Sequence, residues 1–162
     1  LLEWLRSPMV YAQDDEFTRA LAALAPQYAQ AAPLLHHYRG IARNALSAMD
    51  LHGEIRLKKW FYVLRPLLAA RWAVQRGGIP PMTLAELLDG VPTAITQEIH
   101  DLIAQKAEQD ESSRHTLSGS LKRFTLDLAD ETAALEAPAP VAMPSEPLDE
   151  LFRTTLRRVW AA

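Results

Sequence analysis

The segment from Glu54 to Arg76 constrains this chain more than any other. Leu57, Phe61, Leu64 and Leu68 recur along it at helical spacing, and Trp60, Val63, Leu67, Ala70 and Val74 form a second stripe beside them. A helix apolar over so wide a surface must be covered on more than one side. The segment therefore reads as the central helix of an all-α bundle. Nowhere does the sequence alternate apolar and polar residues long enough to argue a sheet, and it holds no internal repeat.

The flanking elements follow from local signals. Asp14-Asp15-Glu16 ahead of Phe17, Leu21 and Leu24 is an acidic first turn, and Pro26 is expected to end that helix. Pro33 starts the next, which aligns Leu34, Tyr38, Ile41, Ala45 and Met49 and runs to a stop near Gly53. Gly77-Gly78 and Pro80-Pro81 close the central helix. Thr83 followed by Glu86 is a capping box for a short helix from Thr83 to Leu88, ended by Gly90. One further helix carries Ile95, Ile99, Leu102 and Ile103 and fades into the polar stretch from Glu108 to Arg114. Another carries Leu121, Phe124, Leu128 and Leu135. The expected architecture is a bundle of five to seven helices over residues 1–136, a Pro/Ala-rich strap over 137–147, and a C-terminal helix over 148–162 that docks back on the bundle through Leu148, Leu151, Phe152, Leu156 and Val159.

Composition removes several classes of function. The 162 residues include no cysteine, which excludes disulfide scaffolds and thiolate metal sites. No apolar run approaches the roughly 18 residues of a membrane span, and the N-terminus lacks a signal-peptide pattern. A protein soluble in the cytoplasm, with no membrane partner, is expected. The start at Leu1, without Met, suggests a piece of a longer protein. The net charge of −3 conceals a strong sorting: −2 over residues 1–32, +6 over 33–78 and −7 over the remainder. Such sorting suits a local site for an anion. A fold in which the basic middle pairs with the acidic tail accounts for it equally well.

Within the central helix, Lys58, Tyr62 and Arg65 fall four and three residues apart, so a cation, a phenol and a guanidinium share one line. That set suits phosphate: lysine is a mobile point charge, arginine a rigid fork of donors, and tyrosine a hydroxyl donor or a stacking ring. A snorkelling lysine and an arginine paired with a neighbouring carboxylate would give the same pattern. Pro66 predicts a kink beside this line, and Arg71 next to Trp72 extends the basic surface. The adjacent His36 and His37 point about 100° apart and cannot chelate together. His52, His100 and His115 lack carboxylates at ligand spacing, so no structural metal site is expected. Ser118-Gly119-Ser120 with Asp127 and Asp130 imitates a nucleotidyltransferase signature. The two carboxylates of that signature must lie two apart on a strand to reach one metal pair, and here they are three apart in a helical pattern. No arginine precedes a histidine at the spacing used by all-α ribonuclease domains.

The residues from Leu2-Glu3-Trp4-Leu5-Arg6-Ser7-Pro8 to Tyr11, then His36-His37-Tyr38 with Ala42-Arg43-Asn44, and above all the run from Lys58-Lys59-Trp60-Phe61-Tyr62 to Ala70-Arg71-Trp72, resemble the predicted nucleotidyltransferases of the DNA polymerase beta superfamily. This is the bacterial and phage type with members encoded beside RNA ligases. The resemblance covers residues 1 to about 110, and the last helix loosely, with Trp60 where the family more often has Tyr. It implies a two-part enzyme, whose N-terminal catalytic domain holds two divalent metals, Mg2+, on a Gly-Ser and an Asp-x-Asp. A helical domain closes the nucleotide cleft. By this resemblance the chain is the helical part, inactive alone and carrying no cofactor itself, and Lys58, Lys59, Tyr62 and Arg65 face the nucleoside triphosphate, with His37, Tyr38 and Arg43 on the preceding helix as further candidates. The partner is then the missing catalytic domain, and a domain parted from it is expected to expose apolar surface and to form a homodimer. The alternative is a free-standing helical module that binds another protein or an anionic ligand.

Overall fold

The computed structural model describes residues 2, 4–108 and 114–161, with residues 106–108 as backbone only. Among them are seven α-helices: α1 (Asp15–Tyr28), α2 (Ala31–Ser47), α3 (Leu57–Gln75), α4 (Leu84–Leu87), α5 (Thr93–Glu108), α6 (Gly119–Ala134) and α7 (Glu146–Trp160). A short 3-10 turn covers Trp4–Arg6, and two two-residue strands, β1 (Ile55–Arg56) and β2 (Arg114–His115), pair antiparallel with Ile55 opposite His115. The fold is all-α, as expected from the apolar periodicity.

The central helix is α3. Trp60, Val63, Leu64, Leu67, Leu68, Ala69, Ala70 and Ala73 are buried on it, against Leu35, Tyr38 and Ala42 of α2, Leu121 and Leu128 of α6, Ile99 of α5 and Leu87 of α4. Each large apolar side chain so buried contributes about 1.5–3 kcal/mol. The three alanines keep one side of α3 small, which lets a neighbouring helix approach closely, and α2 makes the most extensive pairing with it. One polar link crosses this core. The fully buried Trp60 donates its Nε1 proton to Thr125 Oγ1 of α6 at 3.1 Å, and Thr125 donates in turn to the Leu121 carbonyl at 2.7 Å. Both polar groups are thereby satisfied, and the rotation of α3 about its axis is fixed.

Several boundaries differ from the expectations. Pro26 does not end α1, which continues to Tyr28. A proline in the last turn forfeits only the bond to the Ala22 carbonyl, too little to stop the helix there. Pro33 is the third residue of α2, where backbone N–H groups have no helical acceptor in any case. That helix ends at Ser47, well before Gly53, because Asp50 turns its carboxylate onto the His52 N–H at 2.9 Å and Leu51 and Ile55 tuck into the core. Glu54 to Arg56 is extended, and α3 then runs unbroken through Pro66. The capping box holds: Thr83 accepts from the Glu86 N–H, and Gly90 leaves the short helix with φ +82°. The polar stretch after Glu108 lies largely outside the described residues.

The C-terminal helix packs against α1. Arg158 bridges to Asp14 and, at 2.9 Å, to Glu16. The strap before it is held at two points: Gln30 donates to the Val141 carbonyl at 2.7 Å and accepts from the Val141 N–H at 2.6 Å, while the Tyr28 hydroxyl donates to the Pro144 carbonyl at 2.8 Å. No residue of α7 is fully buried. Of the apolar face expected to dock, Leu148, Leu151 and Leu156 are half-buried, while Phe152 and Val159 are exposed, because α7 meets little beyond α1.

Candidate functional site: a basic cleft beside the central helix

The spacing of Lys58, Tyr62 and Arg65 does place them together. With Phe61 they form one wall of a cleft of about 370 Å3, closed by Met82, by Leu84 of α4 and by Ile103 of α5. Lys58 and Tyr62 are exposed, Tyr62 at 60%, and Arg65 is half-buried with its Nη2 3.8 Å from the Met82 sulfur. The cleft has an apolar floor and a cationic side, with a phenol at its lip. Pro66 contributes indirectly: having no N–H, it leaves the Tyr62 carbonyl without its helical donor. The wall from Met82 to Leu84 hangs on the loop after Gly77-Gly78, and Arg6 anchors that loop by donating to the Ile79 carbonyl at 3.2 Å. The N-terminal turn thus lies against the segment that closes the cleft.

The other candidates go elsewhere. Lys59 stands one residue from Lys58, about 100° around the helix, and lines a separate hollow with Asp50, Glu54, Arg56 and Arg114. Tyr38 is 3% exposed and belongs to the core, as its place in the apolar stripe of α2 requires. His37 is exposed and meets the Tyr38 ring edge-on, with centroids 5.1 Å apart. Arg43 opens onto a groove between α2 and α6. Met82, Leu84 and Ile103 were not foreseeable as site residues, since only tertiary packing brings them to α3. The Ser-Gly-Ser imitation resolves into helix chemistry: Ser118 caps α6, and Ser118 and Ser120 both donate to Glu98, whose carboxyl these bonds hold below its usual value.

The donor set does not suit a divalent cation. Lys58 and Arg65 would repel one, and no group of three or more His, Asp or Glu that could hold a metal occurs among the described residues. Nor is any helix long and apolar enough to cross a membrane among those residues.

Comparison with known proteins supports the resemblance. A Bacillus subtilis (strain 168) protein named uncharacterized protein YcgL is 28% identical over 164 aligned positions, covering 99% of this chain and 63% of that protein. This chain therefore spans less than two thirds of that relative's length. No solved structure matches it. Residues 1–154 match the RNA repair pathway DNA polymerase beta family, the Lys58-to-Trp72 helix and its cleft included, and the chain belongs to that family.

Proposed function

We propose that this chain is the helical, nucleotide-facing part of a nucleotidyltransferase, and that the cleft along α3 holds a nucleoside triphosphate. The observation that carries this reading is the convergence of Lys58, Tyr62 and Arg65 on one cleft with an apolar floor. The two cations take the phosphate oxygens, and Phe61, Met82, Leu84 and the Tyr62 ring offer the base a largely apolar seat. In the transfer, an acceptor hydroxyl attacks the α-phosphorus and pyrophosphate leaves. Lys58 and Arg65 meet the charge that builds on the leaving group, which lowers the barrier without forming a bond to the substrate. A catalytic unit joined ahead of Trp4 would be delivered beside the loop that closes the cleft, because Arg6 is tied to Ile79. The metal-binding carboxylates of the family lie outside this chain on this reading. The protein works in the cytoplasm, with Mg2+ bound by that other part.

Equilibrium dialysis with radiolabelled ATP tests the cleft directly. Losing one charge-assisted contact costs about 1.5–3 kcal/mol, or roughly 10- to 100-fold in affinity. Arg65→Gln should show that loss, and Arg114→Gln, on the Lys59 hollow, should bind as the parent does. Equal affinities in the two variants would remove the reading. A second reading, a helical interaction module that pairs with itself or another protein, is favoured by the exposure of Phe152, Val159 and Trp160 on α7, the last at 82%. Sedimentation of the chain and of Trp160→Ser tests it: a dimer lost in Trp160→Ser supports the module, whereas a dimer that survives lies on another surface and removes this reading.

A further inference from the structure

The groove that Arg43 opens onto is a second site, and it cannot be a lobe of the first. It encloses about 390 Å3 between α2, α3 and α6. Its only wall from α3 is Leu67, which stands about 140–180° around the helix from Lys58, Tyr62 and Arg65. The two hollows therefore lie on opposite faces of α3.

Its chemistry is that of a receptor for an anion with an apolar body. Ala42, Leu46, Leu67, Ala129 and Ala133 make the interior apolar, Ser47 and Thr132 are satisfied by the Asn44 and Ala129 carbonyls, and the described lining includes no carboxylate. Two arginines enter it, Arg39 and Arg43, one helical turn apart, a spacing at which like charges repel and a shared anion relieves the repulsion. Arg39 has a structural partner on one side only: its Nη2 donates to the Leu135 carbonyl at the end of α6 at 2.6 Å, while its buried Nε has no acceptor. Such a donor in a charged fork is costly to leave unmet. Arg43 is exposed and has no hydrogen-bond or ion-pair partner among the described residues. Glu136 borders a shallower hollow on the other side of Arg39 without forming an ion pair with it.

We infer that the groove between α2 and α6 binds a small organic anion, an oxyanion head held by Arg39 and Arg43 and a hydrocarbon body laid on Ala42, Leu46, Leu67 and Ala129. The volume fits a ligand of metabolite size and not a nucleic acid. Charge complementarity selects the head, and the apolar walls select the tail.

Calorimetric titration of the chain with heptanoate, hexyl phosphate and hexanol tests this. Saturable binding of at least one of the two anions, and at least ten-fold weaker binding of hexanol, is expected. The tighter of the two anions identifies the head as carboxylate or phosphate. Arg43→Gln, at an exposed position that holds nothing else, should weaken the anion at least ten-fold, and Ala129→Phe should fill the groove and abolish binding. Arg114→Gln, which lines neither the groove nor the α3 cleft, should leave it unchanged, and because Arg43 lines only the groove, failure here is separable from failure of the nucleotide reading. Hexanol binding as well as the acids, an unaltered affinity in Arg43→Gln, or no saturable binding of either anion would overturn the inference, the last leaving the groove to a protein segment.

Discussion

Replacing Thr125 with valine should cost more in the parent protein than in a Trp60→Phe background, and the difference measures how firmly α3 is held in rotation. Valine keeps the shape of threonine, so no cavity forms. It removes the acceptor of the Trp60 indole, which is fully buried and has 3.1 Å to its only described partner. An orphaned buried donor costs about 1–3 kcal/mol. For a domain of this size, 2 kcal/mol lowers the melting temperature by about 4–8 °C. Trp60→Phe alone loses ring volume from the core, at about 2 kcal/mol from transfer and cavity terms. It orphans nothing, because Thr125 still donates to the Leu121 carbonyl at 2.7 Å. In that background Thr125→Val should cost less than about 0.5 kcal/mol, giving a coupling of about 1–2 kcal/mol. Urea unfolding of the four proteins supplies the cycle. If Thr125→Val costs the same in both backgrounds, the indole bond does not hold α3 in rotation.

Three other outcomes are expected. The Asp14 carboxyl is held below its ordinary 3.8 by the Phe17 N–H and then by Arg158, so the clasp between α1 and α7 is at full strength above that value and weakens as the pH falls below it through the lowered folded value. Amide exchange of α7 across pH 2–6 should show this, and release already at pH 5 would contradict it. Gly90→Ala, at φ +82° with open space around the new Cβ, should destabilise by about 1–2 kcal/mol through backbone conformation alone, measurable as a lower urea midpoint. Gln30→Ala removes both amide bonds to Val141, which together hold the strap by about 1 kcal/mol. Limited proteolysis within residues 137–145 should then speed roughly five-fold, with the rest of the chain intact.

What the sequence disclosed was whatever is decided within one helix. The stripes of α3, the Thr83–Glu86 box and the line from Lys58 to Arg65 all depend on 3.6 residues per turn, and all stand in the structure. The pairing of Ile55 with His115 depends on two short segments 60 residues apart and leaves no periodic trace. Pro26 and Gly53 misled at the boundaries, because a terminal-turn proline is cheap and the turn at Asp50 acts first. Within the site the lesson is sharper. Lys59 joins Lys58 through the resemblance alone, whereas helix geometry puts the two about 100° apart and Lys59 lines a different hollow. Tyr38 entered the candidate set by resemblance alone, while its own periodicity had already placed it in the core, and there it lies.

The charge sorting finds its physical account in the same geometry. Pairing with acidic residues explains part of the basic middle: Arg76 meets Asp89 at 2.5 Å, stacked over Trp72, and Arg71 approaches Glu131 at 3.9 Å. Those arginines sit towards the end of α3, where cations also face the negative end of the helix macrodipole. The remaining cations divide by face. Lys58 and Arg65 share the cleft with an apolar floor, Arg56, Lys59 and Arg114 share a hollow with Asp50 and Glu54, and Arg39 with Arg43 share the groove across α3. Of these hollows the one at Lys59 is mixed in sign, while the groove across α3 sets two arginines against apolar walls, a low-dielectric surrounding in which charge acts most strongly. On the two readings proposed above, anions would be held on opposite faces of α3, the helix that the Trp60–Thr125 bond ties to α6.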